Sequence, residues 1–331
     1  MRFRGSDDVV VGEQVTEPLD AVGVESVART AVRGTISIAP MIVGDPSPFV
    51  EPKPTAQKFR SAPFRPDTVI DGWSTEHATV RAASLRGHLH RYNGAPRQDD
   101  VAVHALPTGR IVVAVADGVS SAVHAHVGAT TAVRAAVQWV SANAAEIGDA
   151  VDWDEMFKSA AWAVVDQARL ILDLDEPSAE DAEQHLATTL VAAVIDPAGE
   201  DGLIASVAGV GDSGAWLLTT DGEYLPLIGG KAVGADGLAS SAVSGLPRLP
   251  DEIATNAGPV GHGDVLLLGT DGIGDPLGSG NGGVGDLFRQ VLLSEQCPSL
   301  VEFAHAVDFS RETFDDDRTL VAVWVRGQSD A

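Results

Sequence analysis

Five aspartates stand where short apolar runs begin or end. Asp117-Gly118 follows "VVAVA", and Asp271-Gly272 follows "DVLLLGT". Asp99 lies in "RQDD", just ahead of "VAVHAL"; Asp212 lies in "GVGDSG", and Asp316 in "DDDRTLVAV". A strand end holds a carboxylate rigidly, and a glycine beside it lets a backbone carbonyl come close. Oxygen donors of this kind suit hard divalent cations, since Mg²⁺ and Mn²⁺ favour an octahedral shell of carboxylates, carbonyls and water. One carboxylate can bridge two such ions. Two ions about 3.5–4 Å apart can share and deprotonate a water, then stabilise the oxygens of an in-line displacement at phosphorus. A single Asp-Gly is ordinarily a turn, but that reading does not explain the whole set.

The flanking sequence supplies elements that would carry these acids. "ATVRAASL", "DVAVHAL" and "RIVVAVAD" read as three strands, with "LPTGR" as a turn between the last two. Residues 120–147 read as one long helix. A second is expected from about Trp153 to Leu172, with "VDWDE" supplying a capping aspartate and an acidic first turn. "LATTLVAAVID", "LIASVAGVG", "GAWLLTT" and "EYLPLI" follow as strands, the last two joined at Asp221-Gly222. "DVLLLGT" is a further strand, residues 284–310 read as mostly helical, and "RTLVAVWV" closes with a strand. This order departs from regular βαβ alternation and favours antiparallel sheets with helices packed outside, an α+β design. Residues 1–72 differ, holding eight of the 18 prolines, and read as an extension or linker, partly disordered, with "ISIAPMIV" as a weak docking strand. The expected organisation is therefore 1–72 extension, 73–327 catalytic domain and 328–331 tail.

Composition narrows the function. The 331 residues are 44% hydrophobic and 21% charged, as in a globular domain. The net charge of -25 is uneven: residues 1–100 carry 12 Lys+Arg against 13 Asp+Glu, the remainder 10 against 34. Such a surface repels nucleic-acid backbones and anionic membranes, so neither is an expected partner. No run has the apolar length of a membrane span, and no signal-like segment follows the first arginines, which makes the cytoplasm the expected location. Cys297 is the only cysteine, which excludes an internal disulfide and a cysteine metal cluster.

From about residue 78 to 326 the chain resembles the metal-dependent protein phosphatases, the protein phosphatase 2C-like family, in its bacterial form. "RQDD" resembles the family's Asn/Glu-Asp motif, "VVAVADGVSSAVHAHVGA" its "ADGMGG…G" segment and "HLATTLVAAVID" its "GTTLV" strand. "VAGVGDSGAWLL" is similar to its "GDSR" strand, "GDVLLLGTDGIGD" to its "SDGL-x-D" segment, and "DDDRTLVAV" to its closing "DN-x-TVVV" strand. The resemblance implies a four-layer αββα fold, an antiparallel β-sandwich flanked by helices on both faces. It implies a serine/threonine phosphoprotein phosphatase using two Mn²⁺ or Mg²⁺ ions, with a possible third, whose metal-bridging hydroxide attacks phosphorus directly. Asp117 would bridge the ions and Gly118 offer its carbonyl. Asp271 and Asp316 would hold the first ion with Asp117; Asp99 would sit on the second ion's side, and Asp212 near the third. Asp316 is preferred to Asp317 because the family's aspartate lies three residues before the threonine, here Thr319. The implied partners are a phosphorylated serine/threonine protein and a cognate kinase.

Several positions depart from the family pattern. Gln98 replaces the frequent metal-binding glutamate, "DGVSS" replaces "DGMGG", and Gly214 replaces the arginine of "GDSR". Gly94 stands where a phosphate-binding arginine is usual; of the nearby Arg86, Arg91 and Arg97, Arg97 is the substitute chosen here, although a surface role is the commoner fate of each. These departures sustain an alternative: a degenerate phosphatase domain that binds a phosphoprotein or kinase without turnover. Small-molecule phosphate hydrolysis is a third option. "GDSG" lacks the context of a serine-protease nucleophile, and "GGKAVG" lacks a full Walker pattern. His88 and His90 read as lying on one face of a strand near Asp99, and His124 and His126 at the start of the long helix.

Overall fold

The central strands of this chain are apolar along most of their length, and the computed structural model shows why. It describes residues 39–47, 65–144, 150–199, 202–229 and 245–326. Eleven strands form two antiparallel sheets among these residues. The six-stranded sheet has the order β1 (Thr68–Ser74), β2 (Ala78–Leu85), β11 (Arg318–Val325), β10 (Val265–Gly269), β7 (Gly214–Leu218), β8 (Tyr224–Ile228). The five-stranded sheet runs β3 (Asp100–Ala105), β4 (Ile111–Ala116), β5 (Leu190–Pro197), β6 (Leu203–Val210), β9 (Ala254–Val260). Successive side chains of a strand point to opposite faces, and here both faces are covered. Ile111, Val113 and Val115 of β4 join Val191, Ala193, Leu266, Leu268, Val321 and Val323 in the core between the sheets. Val112, Ala114 and Ala116 turn outward to a second core, under helices.

Among the described residues there are seven helices: α1 (His88–Asn93), α2 (Ala125–Ala142), α3 (Trp153–Leu172), α4 (Ala179–Leu186), α5 (Asp271–Leu277), α6 (Gly283–Leu292) and α7 (Leu300–Val307). Helices α2 to α4 cover the five-stranded sheet through residues such as Val133, Met156, Phe157 and Leu186. Helices α5 to α7 cover the six-stranded sheet through Ile273, Phe288 and Phe303. The result is the expected four-layer αββα sandwich. Removing one fully buried aromatic such as Phe157 would cost about 3–5 kcal/mol.

Differences from the sequence reading have local causes. Helix α2 starts at Ala125, not Ser120, because the preceding backbone is bonded elsewhere: Val119 N–H to Ala187 O and His124 N–H to His185 O. Residues 145–147 of that expected helix lie outside the described residues. His88 and His90 belong to a short helix rather than a strand; β2 ends at Leu85, and α1 is stopped by Gly94 in the left-handed region at φ 70°. Helix α3 spans the expected residues, with Asp152 accepting the Glu155 N–H at its start. The boundary expected at residue 73 falls inside β1, which pairs with β2 along its length. Of "ISIAPMIV", residues 36–38 lie outside the described residues, while Ile42 makes a single parallel bridge to Ser310.

Candidate metal centre

Antiparallel order brings alternate strand ends to one edge. The starts of β3, β5, β7 and β11 and the ends of β4, β6 and β10 therefore share that edge, and every predicted site residue sits there. Asp117 follows β4, Asp99 precedes β3, Asp212 lies between β6 and β7, Asp271 opens α5 after β10, and Asp316 precedes β11. Carboxylate oxygens of Asp117, Asp212 and Asp271 lie within 4.8 Å of one another. Asp99 is buried against Asp117, and Asp316 is near enough for its charge to disfavour ionisation of both. The structure thus brings all five predicted aspartates to one place. Gly118 bridges to Thr188 beside them, and a Cβ there would stand 2.7 Å from that of Ala125. Gly272 is equally confined, since a side chain would run into the Asp317 carbonyl.

Beneath the carboxylates lies a floor of buried hydroxyls that the sequence reading missed. Thr270 and Thr319 each donate to Asp99 Oδ2 at 2.8 Å, and Ser84 pairs with Thr319 at 2.6 Å. The Asp117 N–H donates to Thr189 Oγ1 at 2.9 Å, the Thr189 N–H returns a bond to Asp117 O at 2.8 Å, and Thr188 Oγ1 donates to the same carbonyl at 2.8 Å. Ser213 pairs with Thr189 at 2.6 Å and is buried, so the "GDSG" serine is a strut and not an exposed nucleophile. The available signal was a hydroxyl residue beside each acidic motif: Thr188-Thr189, Ser213, Thr270 and Thr319. A buried hydroxyl needs a partner, and an aspartate at a strand end supplies one.

The electrostatics are those of crowded anions. Burial, then the charge of Asp317, pushes the Asp99 carboxyl up to about 8, against the pull of its hydrogen bonds from Thr270. Burial and the charges of Asp99, Asp271 and Asp316 hold Asp117 well above the usual carboxylate range. A divalent cation inverts this logic, because it neutralises the charges that oppose one another. The donor set is all oxygen and clustered, and it fits Mg²⁺ or Mn²⁺. His90, Asp316 and Asp317 also come within 4.8 Å. Asp317, however, is committed to the Gly87 N–H at 2.6 Å, the Gln98 N–H at 2.5 Å and His90 Nδ1 at 2.9 Å.

The arginines take other roles. Arg97 is 1% exposed and not on the surface: it donates to Ser84 Oγ, to Asp99 O at 2.8 Å and to Pro66 O at 3.4 Å, and it pairs with Asp100 at 3.7 Å. Each of its nitrogens is thus engaged in the wall behind Asp99. Arg65, from the stretch assigned to the extension, reinforces the same wall through Asp99 O at 2.6 Å and Asp100 at 3.1 Å. Arg86 and Arg91 both pair with Asp67. Burial, with the charges of Arg65 and His124, pushes His126 down to about 4, so its ring is neutral at physiological pH.

The comparisons with known proteins agree with this fold. No curated protein matches the chain. Among solved structures, the catalytic domain of the serine/threonine protein phosphatase PstP in complex with two manganese ions superposes with a TM-score of 0.52 at 21% identity, covering 76% of this chain and 99% of that one. RsbX in complex with magnesium gives 0.52 at 16% identity, with 78% and 100% covered. The serine/threonine phosphatase Stp1 from Staphylococcus aureus gives 0.52 at 15%, with 78% and 100% covered. At these identities the structures establish the fold alone. The family model described as protein phosphatase 2C matches residues 86–302, about two thirds of the sequence. With that match and the shared αββα architecture, the chain belongs to the protein phosphatase 2C family.

Proposed function

We propose that this protein hydrolyses phosphoserine and phosphothreonine in other proteins, using two Mn²⁺ or Mg²⁺ ions with a possible third. The observation that carries the reading is the aspartate cluster itself. Like charges buried together disfavour the metal-free state, so a fold that retains them is built to hold cations. Asp117, Asp271 and Asp316 would hold the first ion, Asp117 with the Gly118 carbonyl the second, Asp99 the second ion's side, and Asp212 the third. When bound, such ions supply a water acidified to neutral pH and offset the charge of the phosphate. The chain's own part is to fix geometry: Thr188 and Thr189 pin the Asp117 peptide, while Thr270 and Thr319 orient Asp99. A cytoplasmic location and a cognate kinase as functional counterpart belong to the same proposal; no described helix is long and apolar enough to cross a membrane.

A second reading is favoured by one observation. Arg65, Arg86, Arg91 and Arg97 are all engaged within the fold, so none of them is presented to a phosphate, and the domain would bind a phosphoprotein without turnover. Incubation with p-nitrophenyl phosphate and a phosphothreonine peptide separates the two. Hydrolysis of both with Mn²⁺, abolished by chelator, is expected. Peptide binding with no phosphate released at millimolar Mn²⁺ would establish the second reading.

A further inference from the structure

Residues 41–47 cross the loop that delivers Asp316 to the metal centre. Along this crossing the Ser310 N–H donates to Met41 O at 2.7 Å, the Val43 N–H to Ser310 O at 3.0 Å, and the Glu312 N–H to Asp45 O at 2.7 Å. The Met41 and Val43 side chains pack against the core under α5 to α7. Ser47 ends the crossing and is 6% exposed. Its N–H donates to Ser310 Oγ at 3.1 Å, and its hydroxyl is shared between Arg311 O at 2.9 Å and Asp315 Oδ1. The family match begins at residue 86, so this segment lies outside the matched residues.

The loop needs such ties. Thr313 has a φ of 69°, in the left-handed region that a β-branched residue rarely adopts. Backbone of this kind persists only where its surroundings over-determine it. Buried Arg318 holds the inner side of the loop, donating to Phe309 O and to Phe314 O at 2.5 Å. Residues 41–47 hold the outer side at Ser310, Arg311, Glu312 and Asp315. Asp315 also opens a run of three aspartates. Ser47 engages the first, the Gly87 and Gln98 N–H groups engage the third, and Asp316 between them is the one whose charge bears on Asp117. We propose that residues 41–47 are a strap and that Ser47 is a positioning residue for Asp316. By tying down Arg311 and Asp315, its hydroxyl fixes the loop in the form that aims Asp316 at the cations. The inference rests on the metal-dependent reading above, and it makes metal affinity in this chain depend on a segment outside the family match.

Calorimetric titration of Mn²⁺ into the full chain as wild type, Ser47→Ala, Ser47→Thr and Val43→Pro, with thermal melts of each in chelator, tests the inference. Outer partners of metal ligands are worth about 10–100-fold in metal affinity, and Ser47→Ala is expected to weaken Mn²⁺ binding at the lower end of that range. Ser47→Thr keeps the hydroxyl and should bind like wild type. Val43→Pro removes the N–H bonded to Ser310 O and should weaken binding in the same direction; Ser47→Ala carries the test alone if Val43→Pro does not fold. Hydrolysis of p-nitrophenyl phosphate by Ser47→Ala should approach wild type at saturating Mn²⁺. Lower melting temperatures with Mn²⁺ affinities equal to wild type would make the strap structural only and overturn the inference by itself. Equal weakening by Ser47→Thr and Ser47→Ala would take the positioning role away from the hydroxyl and overturn it too. No Mn²⁺ binding by wild type would overturn the metal reading, and this inference with it.

Discussion

The Asp117 peptide is held on both sides by Thr188 and Thr189, so Asp117→Asn alters charge while leaving the backbone anchored. If this carboxylate serves two ions, the neutral amide serves neither well, and hydrolysis should fall by at least about 100-fold, the scale of losing a principal electrostatic group. The metal-free fold should gain, because Asp99, Asp271 and Asp316 lose a neighbour that repels them. Rates with Mn²⁺ and melts in chelator measure both effects, and wild-type turnover would remove Asp117 from the site. Gln98 is the other residue whose chemistry can be separated. Its Oε1 is buried without a hydrogen-bond partner among the described groups, which suits an oxygen turned toward a cation. An amide oxygen binds a hard cation less strongly than a carboxylate does. Gln98→Glu should therefore lower the Mn²⁺ concentration giving half-maximal activity and leave the plateau nearly unchanged. Superimposable titration curves would show that Gln98 plays no part in holding metal.

At the scale of elements, the β4–β5 pair carries the clearest test of the hydroxyl floor. Thr189→Val keeps the shape of the side chain and removes the acceptor of the Asp117 N–H and the partner of Ser213. It should cost about 1–3 kcal/mol, the price of a buried donor left unpaired, and raise the Mn²⁺ requirement; denaturant melts and a metal titration read the two separately. An unchanged Mn²⁺ midpoint would confine Thr189 to stability. The same element shows what was legible in sequence. β4, β5, β10 and β11 are buried on both faces and announce themselves as continuous apolar runs, which is why the acids at their ends could be placed. β9 could not be read, since it lies at a sheet edge, is mostly exposed and has no apolar pattern. α1 was misread because "HLH" alternates like a strand, although the glycines around it bound a single short helix. α4 buries only Ala182 and Leu186, but its Ser178–Asp181 capping box was a signal open to reading. The arginines were not legible at all: whether a guanidinium faces solvent, ligand or wall depends on contacts distant in sequence, such as Pro66 and Ser84 around Arg97.

For the whole molecule, the aspartate cluster and the histidines give stability two opposed pH windows when metal is removed. Asp99 titrates near 8 in the folded protein against 3.8 ordinarily, and Asp117 is raised in the same direction, both through burial first and neighbouring carboxylates second. The folded state then holds more protons than the unfolded chain between those values, so this contribution to stability declines as pH rises from about 4 to about 8. Burial disfavours the His90 imidazolium, but Asp317 outweighs it and raises this group, whose contribution is also lost on going alkaline. His126 acts oppositely. With a folded value of about 4 against 6.5, it adds stability as pH rises between them and nothing above. The window from pH 6.5 to 8 is therefore the clean one, where the carboxylates and His90 all act in one direction. The melting temperature in chelator should fall steadily across it. Saturating Mn²⁺ should raise the curve and flatten it, because cations bound to ionised carboxylates remove the proton uptake that produces the slope. Asp117→Asn should show a shallower slope in chelator than wild type. A melting temperature that is level or rising from pH 6.5 to 8 without metal would mean that the carboxylates are not crowded as described, and with them would go the argument that this edge of the sandwich is built for cations.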